Sequence, residues 1–215
     1  MVVFDLDGTL YDENTTYAFL ERYHRAHGWW RSRLVRSGRT LPGRFAWRVL
    51  GRLARRDLFR AAALRSLRGE PVERVLSHVE AYVDELAPKA VAAVMARLEA
   101  ARSEGARLVL ASASLEPVAC AVARRLRMSG CIASKPQAVG GRYTGAWADD
   151  VRGRKLVALR RAYPDVGAFA VVTDNPDDDD LIAAAERAAV VVRDARAARR
   201  WAAAWPHVEI VEHRP

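Results

Sequence analysis

Lysine is nearly absent from this chain. Of 35 basic residues in 215, only Lys89, Lys135 and Lys155 are lysine, and the rest are arginine. Heavy arginine use reads first as compositional bias, which singles out each lysine that remains. Cysteine is as scarce: Cys120 and Cys131 stand alone, without metal-ligand spacing. That argues against a cysteine-based metal site and favours reduced core thiols over a disulfide framework. The five histidines, at 24, 27, 78, 207 and 213, also lack ligand spacing and read as surface or satisfied core residues. No apolar run reaches the roughly 20 residues that span a bilayer. The charged stretch at residues 5–9 leaves no room before it for a leader peptide, so a cytoplasmic protein is expected. Repeats and low-complexity linkers are missing too. What is present, 215 residues with 51% hydrophobic content, suits one good-sized domain or a core with a smaller insert.

The chain changes character along its length. Residues 15–86 read as almost wholly helical, with candidate helices at 15–27, 29–37, 43–56, 57–68 and 71–86. Gly28, Gly38, Pro42-Gly43 and Gly69-Glu70-Pro71 separate them. Beyond residue 87, helix and strand alternate: helix 89–104, strand 107–112, helix 116–128, a short strand near 131–134 and a hairpin around Gly140-Gly141. Helix 153–163, strand 168–173, helix 179–188, strand 189–193, helix 196–205 and strand 207–211 follow. Alternation of this kind argues for a parallel sheet covered by helices. The expected architecture is α/β: a doubly wound, Rossmann-like core from residues 1–13 and 87–215, interrupted by an all-helical insert at 14–86.

Four stretches carry chemistry, each at a predicted strand end or helix start. Val2-Val3-Phe4 runs directly into Asp5-Leu6-Asp7-Gly8-Thr9. Two carboxylates on alternate residues repel one another unless a cation lies between them. Mg²⁺, a hard ion that prefers oxygen ligands, is the natural candidate. Ser112-Ala113-Ser114 follows the apolar run Leu108–Ala111, Lys155 lies near a helix start, and Thr173-Asp174-Asn175-Pro176-Asp177-Asp178 follows Phe169–Val172. In open α/β sheets, ligands bind outside the carboxyl ends of the strands.

In this order and at these spacings, the four stretches resemble the haloacid dehalogenase superfamily of phosphohydrolases, over nearly the whole chain. The chain looks like the phosphoserine-phosphatase-like branch, subfamily IB, which carries a helical C1-type cap between its first two motifs. Gly141-Arg142-Tyr143-Thr144-Gly145 also resembles that branch. The resemblance implies a Mg²⁺-dependent phosphatase acting on a small phosphate monoester through an aspartyl-phosphate. Asp5 would be the nucleophile and Asp7 the acid–base group, with Asp5, Asp174 and the main-chain carbonyl of Asp7 binding the metal. Gly8, Thr9, Ser112 and Ala113 would shape and bind the phosphate seat, with Ser114 competing for the role of Ser112. Lys155 would supply a compact positive charge, for which a lysine suits better than the planar fork of arginine. Asp178 would complete the metal shell through water or orient Lys155, and Asn175 would line the surroundings.

The chain departs from the branch at Gly8, where serine is usual, and at Asn14, where a glutamate usually holds the substrate ammonium. A neutral amide does not offset an ammonium, which argues against phosphoserine and leaves Glu13 and Asn14 as specificity candidates. Between Arg22 and Arg68 the insert has fourteen arginines and one acid, Asp57, interleaved with Trp29, Trp30, Leu34, Phe45 and Trp47. Arginines facing solvent over a Trp/Leu-packed cap explain this pattern; so does peripheral contact with an anionic membrane. The second alternative admits a phospholipid-derived substrate or a non-catalytic binding module. No nucleic-acid-binding motif is present, so no specific nucleic acid is expected. Nothing in the sequence sets an oligomeric state.

Overall fold

The computed structural model describes residues 1–40, 42, 43, 45 and 57–213. The candidate helix at 43–56 lies outside the described residues except for Gly43 and Phe45.

Strand β1, Val2–Phe4, is short because Asp5 follows it, yet it occupies the centre of the sheet. It pairs in parallel with β2 (Leu108–Leu115) on one side. On the other side it pairs in parallel with β5 (Ala170–Thr173). Val3 faces Val109 and Val171 in register, and Phe4 faces Leu110 and Val172. Side chains alternate across a strand, so these two triplets belong to separate apolar clusters on opposite faces. Outward from β2 run β3 (Gly130–Val139), parallel, and β4 (Arg142–Asp149), antiparallel. Outward from β5 run β6 (Arg187–Val192) and β7 (Glu209–Glu212), both parallel. The order is therefore β4-β3-β2-β1-β5-β6-β7.

Between β1 and β2 the chain passes through α1 (Thr15–His27), α2 (Trp29–Ser37), α3 (Leu58–Arg65), α4 (Val72–Leu76) and α5 (Val79–Asp84). A 3-10 turn at Ala87–Lys89 leads to α6 (Ala92–Ser103). Then come α7 (Glu116–Arg125), α8 (Lys155–Ala162), α9 (Asp179–Ala184) and α10 (Ala195–Ala204). Apolar residues of α6 and α7 cover the Phe4 face, and those of α8, α9 and α10 cover the Val3 face. This is the doubly wound arrangement. The Phe4 cluster runs on without interruption into Phe19, Leu20, Tyr23, Val35 and Leu64 of the helical segment. Among the described residues, no helix is long and apolar enough to cross a membrane.

Several boundaries differ from the sequence reading, each for a local reason. The helix expected at 71–86 is two: Ser77 Oγ donates to the Arg74 carbonyl at 2.8 Å, and His78 Nδ1 lies 2.8 Å from the same oxygen. These side chains compete with the main-chain ladder and break the helix there. The short strand near 131–134 is ten residues long, because β3 continues past its pairing with β2 into a hairpin with β4. Gly140 (φ 57°) and Gly141 (φ 72°) make its two-residue turn, a backbone that requires left-handed residues. Pro136, which cannot donate to a ladder, falls at a register shift. The helix expected at 179–188 ends at Ala184, since residues 187–190 are taken up by pairing with β5, which overrides their helix propensity.

Phe4 is fully buried, whereas Phe45 is 68% exposed. Phe4→Ala is expected to lower the free energy of unfolding by about 3–5 kcal/mol. Phe45→Ala should change it by less than about 0.5 kcal/mol. Urea denaturation of the two variants checks both.

Candidate active site

The chain travels outward from β1 first through β2 and then, in the other direction, through β5. The crevice at the carboxyl ends of these three strands is therefore a topological switch point. A cavity of about 330 Å³ opens there. The core lines it with Asp5, Asp7, Ser112, Ala113, Ser114, Lys155, Asp174 and Asn175. The helical segment adds Asn14, Thr16, Tyr17, Asp57 and Arg60.

Asp5 is placed by the sheet itself. Its main-chain N–H donates to the Val172 carbonyl at 2.9 Å, the last bond of the β1–β5 ladder. Its Oδ1 accepts from the Leu6 N–H at 2.7 Å and lies 3.0 Å from Lys155 Nζ. Lys155 is the first residue of α8 and is 1% exposed. Its ammonium also donates to Asp178 Oδ2 at 2.8 Å, and Thr173 Oγ1 donates to that oxygen at 2.6 Å. Asp178 Oδ1 is buried without a partner among the described residues. Burial pulls the Lys155 pKa down, but the Asp5 and Asp178 carboxylates outweigh it and hold the ammonium charged. One ammonium thus serves two carboxylates. Asp178 carries the excess: burial first, then repulsion from Asp5, push its pKa up to about 6 despite Lys155. Of the two roles open to Asp178, the geometry provides the contact to Lys155.

Asp7 is held from two sides. Its Oδ1 accepts from Thr15 N–H at 2.9 Å and Thr15 Oγ1 at 2.6 Å, and its Oδ2 accepts from Ser114 Oγ at 2.6 Å. Burial pushes its pKa up to about 6 even though all three bonds favour the charged form. Ser112 Oγ lies 3.0 Å from Ser114 Oγ and accepts the Ser114 N–H at 3.2 Å.

Gly8 has φ 79° and supports Asp174: a Cβ at residue 8 would sit 2.2 Å from Asp174 Oδ2. Thr9, fully buried beneath, donates to Asp174 Oδ1 at 3.0 Å. Burial and repulsion from Asp5 push the Asp174 pKa up to about 7, against Thr9 and Arg193. Asn175 caps the following 3-10 turn, its Oδ1 accepting from Asp177 N–H at 3.0 Å.

The two specificity candidates separate. Asn14 lines the cavity and caps α1 through the Tyr17 N–H at 3.1 Å. Glu13 is not among the lining residues; it pairs with Arg39 at 2.8 Å and with Lys89. Arginine 39 and lysine 89 therefore engage the carboxylate that sequence reasoning held in reserve for a substrate ammonium.

Other residues at the site were not singled out from the sequence. Thr15 opens α1 and grips Asp7 twice. Arg60 of α3 donates to the Ala113 carbonyl at 2.7 Å, pairs with Asp150 at 3.0 Å, and stacks 4.4 Å from the Trp147 ring. Arg152 bridges Asp57 of the helical segment and Asp177 of the core. Arg193 pairs with Asp12 at 2.7 Å and reaches within 3.5 Å of Asp174 Oδ2. Arg193 had a legible signal, since it ends the run Val190-Val191-Val192 on the ligand-facing edge. Arg60 had none, being one of fourteen arginines between residues 22 and 68.

Similar proteins share this architecture. A structure of a protein of unknown function from Bordetella pertussis Tohama I has TM-score 0.72 at 20% identity, over 98% of this chain and 97% of that one. A phospho-aspartyl intermediate analogue of phosphoserine phosphatase has TM-score 0.61 at 13% identity, over 97% and 90%. Cytosolic 5'-nucleotidase IIIB bound to cytidine has TM-score 0.71 at 10% identity, over 100% and 80%. At these identities the likeness is one of fold. No curated protein matches the chain in sequence. The family model described as haloacid dehalogenase-like hydrolase matches residues 2–183, which include β1, Ser112, Lys155 and Asp174. The chain belongs to the haloacid dehalogenase-like hydrolases.

Proposed function

We propose that this hydrolase is a Mg²⁺-dependent phosphatase that cleaves a small phosphate monoester through an aspartyl-phosphate at Asp5, with residues 14–86 as a helical cap over residues 1–13 and 87–215. The observation that carries the reading is the buried Lys155 ammonium, 3.0 Å from Asp5 Oδ1, beside a cavity that Asp7 and Ser112 also line. An anionic nucleophile needs such a cation to approach an anionic phosphate.

The residues present fit a hard divalent cation. Asp5, Asp174 and the Asp7 carbonyl offer oxygen only, and the missing Cβ of Gly8 leaves space beside Asp174. Among the described residues, no group of three or more His, Cys, Asp or Glu side chains gathers around one point. Two carboxylates and a carbonyl suit Mg²⁺, which keeps several waters. When bound, the metal supplies charge neutralisation at the phosphoryl oxygens.

Asp5 forms a bond to phosphorus as the ester P–O bond breaks. Asp7 gives its proton to the departing oxygen, so the alcohol leaves neutral. Asp7, now a carboxylate, takes a proton from water as that water's oxygen bonds to phosphorus. The Asp5–phosphorus bond then breaks, orthophosphate is released, and both carboxyl groups return to their starting states. A pKa of about 6 suits a group that gives and takes a proton in turn. Ser112 and the main chain of Ala113 hold the phosphoryl oxygens, while Asn14 and Tyr17 face the leaving group.

A second reading places the enzyme on an anionic membrane surface, where its substrate is a lipid-borne phosphate. It is favoured by the exposure of Trp30 (57%) and Phe45 (68%), with Arg33 and Arg36 also exposed on α2.

Asp5→Asn should lower p-nitrophenyl phosphate hydrolysis by at least about 10³-fold. Chelation with EDTA should abolish it, with recovery on adding Mg²⁺; full activity in Asp5→Asn refutes the mechanism. A second outcome concerns stability without metal. An acid with a raised folded pKa binds more protons folded than unfolded, so its penalty is absent near pH 4 and complete above its folded pKa. For Asp174 that window runs from 3.8 to about 7. Asp174→Asn in EDTA should therefore melt above the wild type at pH 8, with the gap closing toward pH 4; Mg²⁺ should raise the Tm of the wild type only. For the membrane reading, the protein should co-sediment with phosphatidylserine-containing vesicles and not with phosphatidylcholine alone, and Trp30→Ala with Phe45→Ala should weaken binding. Failure to sediment with phosphatidylserine at low salt removes that reading.

A further inference from the structure

Resting on the reading of Asp7 as the proton donor, we propose that Ser114 is the residue that aims Asp7: it holds Asp7 Oδ2, the oxygen that delivers the proton, and links it through Ser112 to the phosphate seat.

An aspartate carboxyl rotates broadly about its last torsion unless both oxygens are held. Here Oδ1 is taken twice by Thr15, at 2.9 Å from its N–H and 2.6 Å from its hydroxyl. The N–H is fixed by the start of α1 and can only donate. A proton on Oδ1 would face that donor. Among the described residues, Oδ2 has one hydrogen-bond partner, Ser114 Oγ at 2.6 Å, and a hydroxyl can either donate or accept. Oδ2 is therefore the oxygen that can alternate between protonated and ionised states while its partner adjusts.

Ser114 is itself constrained. It is 4% exposed and lies one residue before the end of β2, the strand that also bears Ser112, which is 2% exposed. Its N–H donates to Ser112 Oγ at 3.2 Å, and the two hydroxyls lie 3.0 Å apart. Each hydroxyl has one proton. With Asp7 ionised, Ser114 gives its proton to Oδ2 and accepts from Ser112. A phosphoryl oxygen in the cavity competes for the Ser112 proton, which leaves the Ser114 hydroxyl on Asp7 while the Ser114 N–H still donates to Ser112 Oγ. The hydroxyl pair thus positions the acid relative to the phosphate rather than to the leaving group. Ser114 is a positioning residue: it acts through Asp7. The proton it helps to aim moves to the ester oxygen as the P–O bond gives that oxygen its electron pair and Asp5 bonds to phosphorus.

The test is leaving-group dependence of kcat/KM, which reports the step in which the ester oxygen departs. Dinitrophenyl phosphate leaves without a proton, whereas an alkyl phosphate needs one. Ser114→Ala should lower kcat/KM for the alkyl ester by about 10²-fold or more, the scale of general acid catalysis. The dinitrophenyl ester should change by less than about threefold, because its departure makes little use of the acid. Ser114→Thr, which keeps the hydroxyl, should restore the alkyl ester. The Tm of Ser114→Ala with and without inorganic phosphate monitors the fold and the seat. Equal losses on both esters, or a loss on neither, overturns the proposal and leaves the phosphatase reading intact. Turnover of both esters by Asp5→Asn overturns the phosphatase reading and this proposal together.

Discussion

Lys155 Nζ lies 3.0 Å from Asp5 and 2.8 Å from Asp178, and each of the three residues is at most 5% exposed. Taking charges out of water costs several kcal/mol per ion, and only close pairing offsets it. Removing one partner from such a set costs about 3–5 kcal/mol, because a charge is left buried and unpaired. The three residues come from the end of β1, the first turn of α8 and the 3-10 turn after β5. Strand register and helix position must therefore agree closely for the charges to meet. With two carboxylates and one ammonium, the set is short of positive charge, and the strain shows at Asp178, with an Oδ1 unpartnered among the described residues and a raised pKa.

The same shortage extends across the crevice. Asp7 and Asp174 are both pushed up by burial, and hydrogen bonds alone do not bring them back. A fold selected only for stability would have little reason to gather these carboxylates on one edge. Functional sites tend to shift pKa values in this way. The two arginines that line the crevice are already engaged: Arg60 of the helical segment by Asp150 and the Ala113 carbonyl, and Arg152 of the core by Asp57 and Asp177. Exposed ion pairs of this type contribute little to stability. Arg60, 9% exposed and stacked on Trp147, is the stronger tie, and it attaches α3 directly to the end of β2 that bears Ser112 and Ser114.

The legible part of this molecule was the part whose physics is local. Asp5 and Asp7 were readable because three apolar β-formers lead straight into them, and Ser112 and Asp174 because each closes an apolar run. Lys155 was readable against an arginine-rich background. The hairpin at Gly140-Gly141 was readable from its turn, although its length was not. Thr15 was not readable: a threonine after Asn14 looks like a helix start, and its hold on Asp7 depends on the loop between them folding back. Glu13 was placed by Arg39 and Lys89, which are 26 and 76 residues away in sequence.

The sequence by itself determined the family, the α/β alternation, the acids and hydroxyls at the strand ends, and the lysine at a helix start. Strand ends and apolar periodicity are encoded within a few neighbouring residues, so they survive without knowledge of the fold. Tertiary structure alone decided which oxygen of Asp7 meets Ser114, that Asp178 contacts Lys155, that Arg60 reaches the crevice, and that Glu13 is engaged elsewhere. Each of these depends on side chains tens to hundreds of residues apart converging within about 3 Å, the range of a hydrogen bond. Only strand order and helix packing can bring them to that distance.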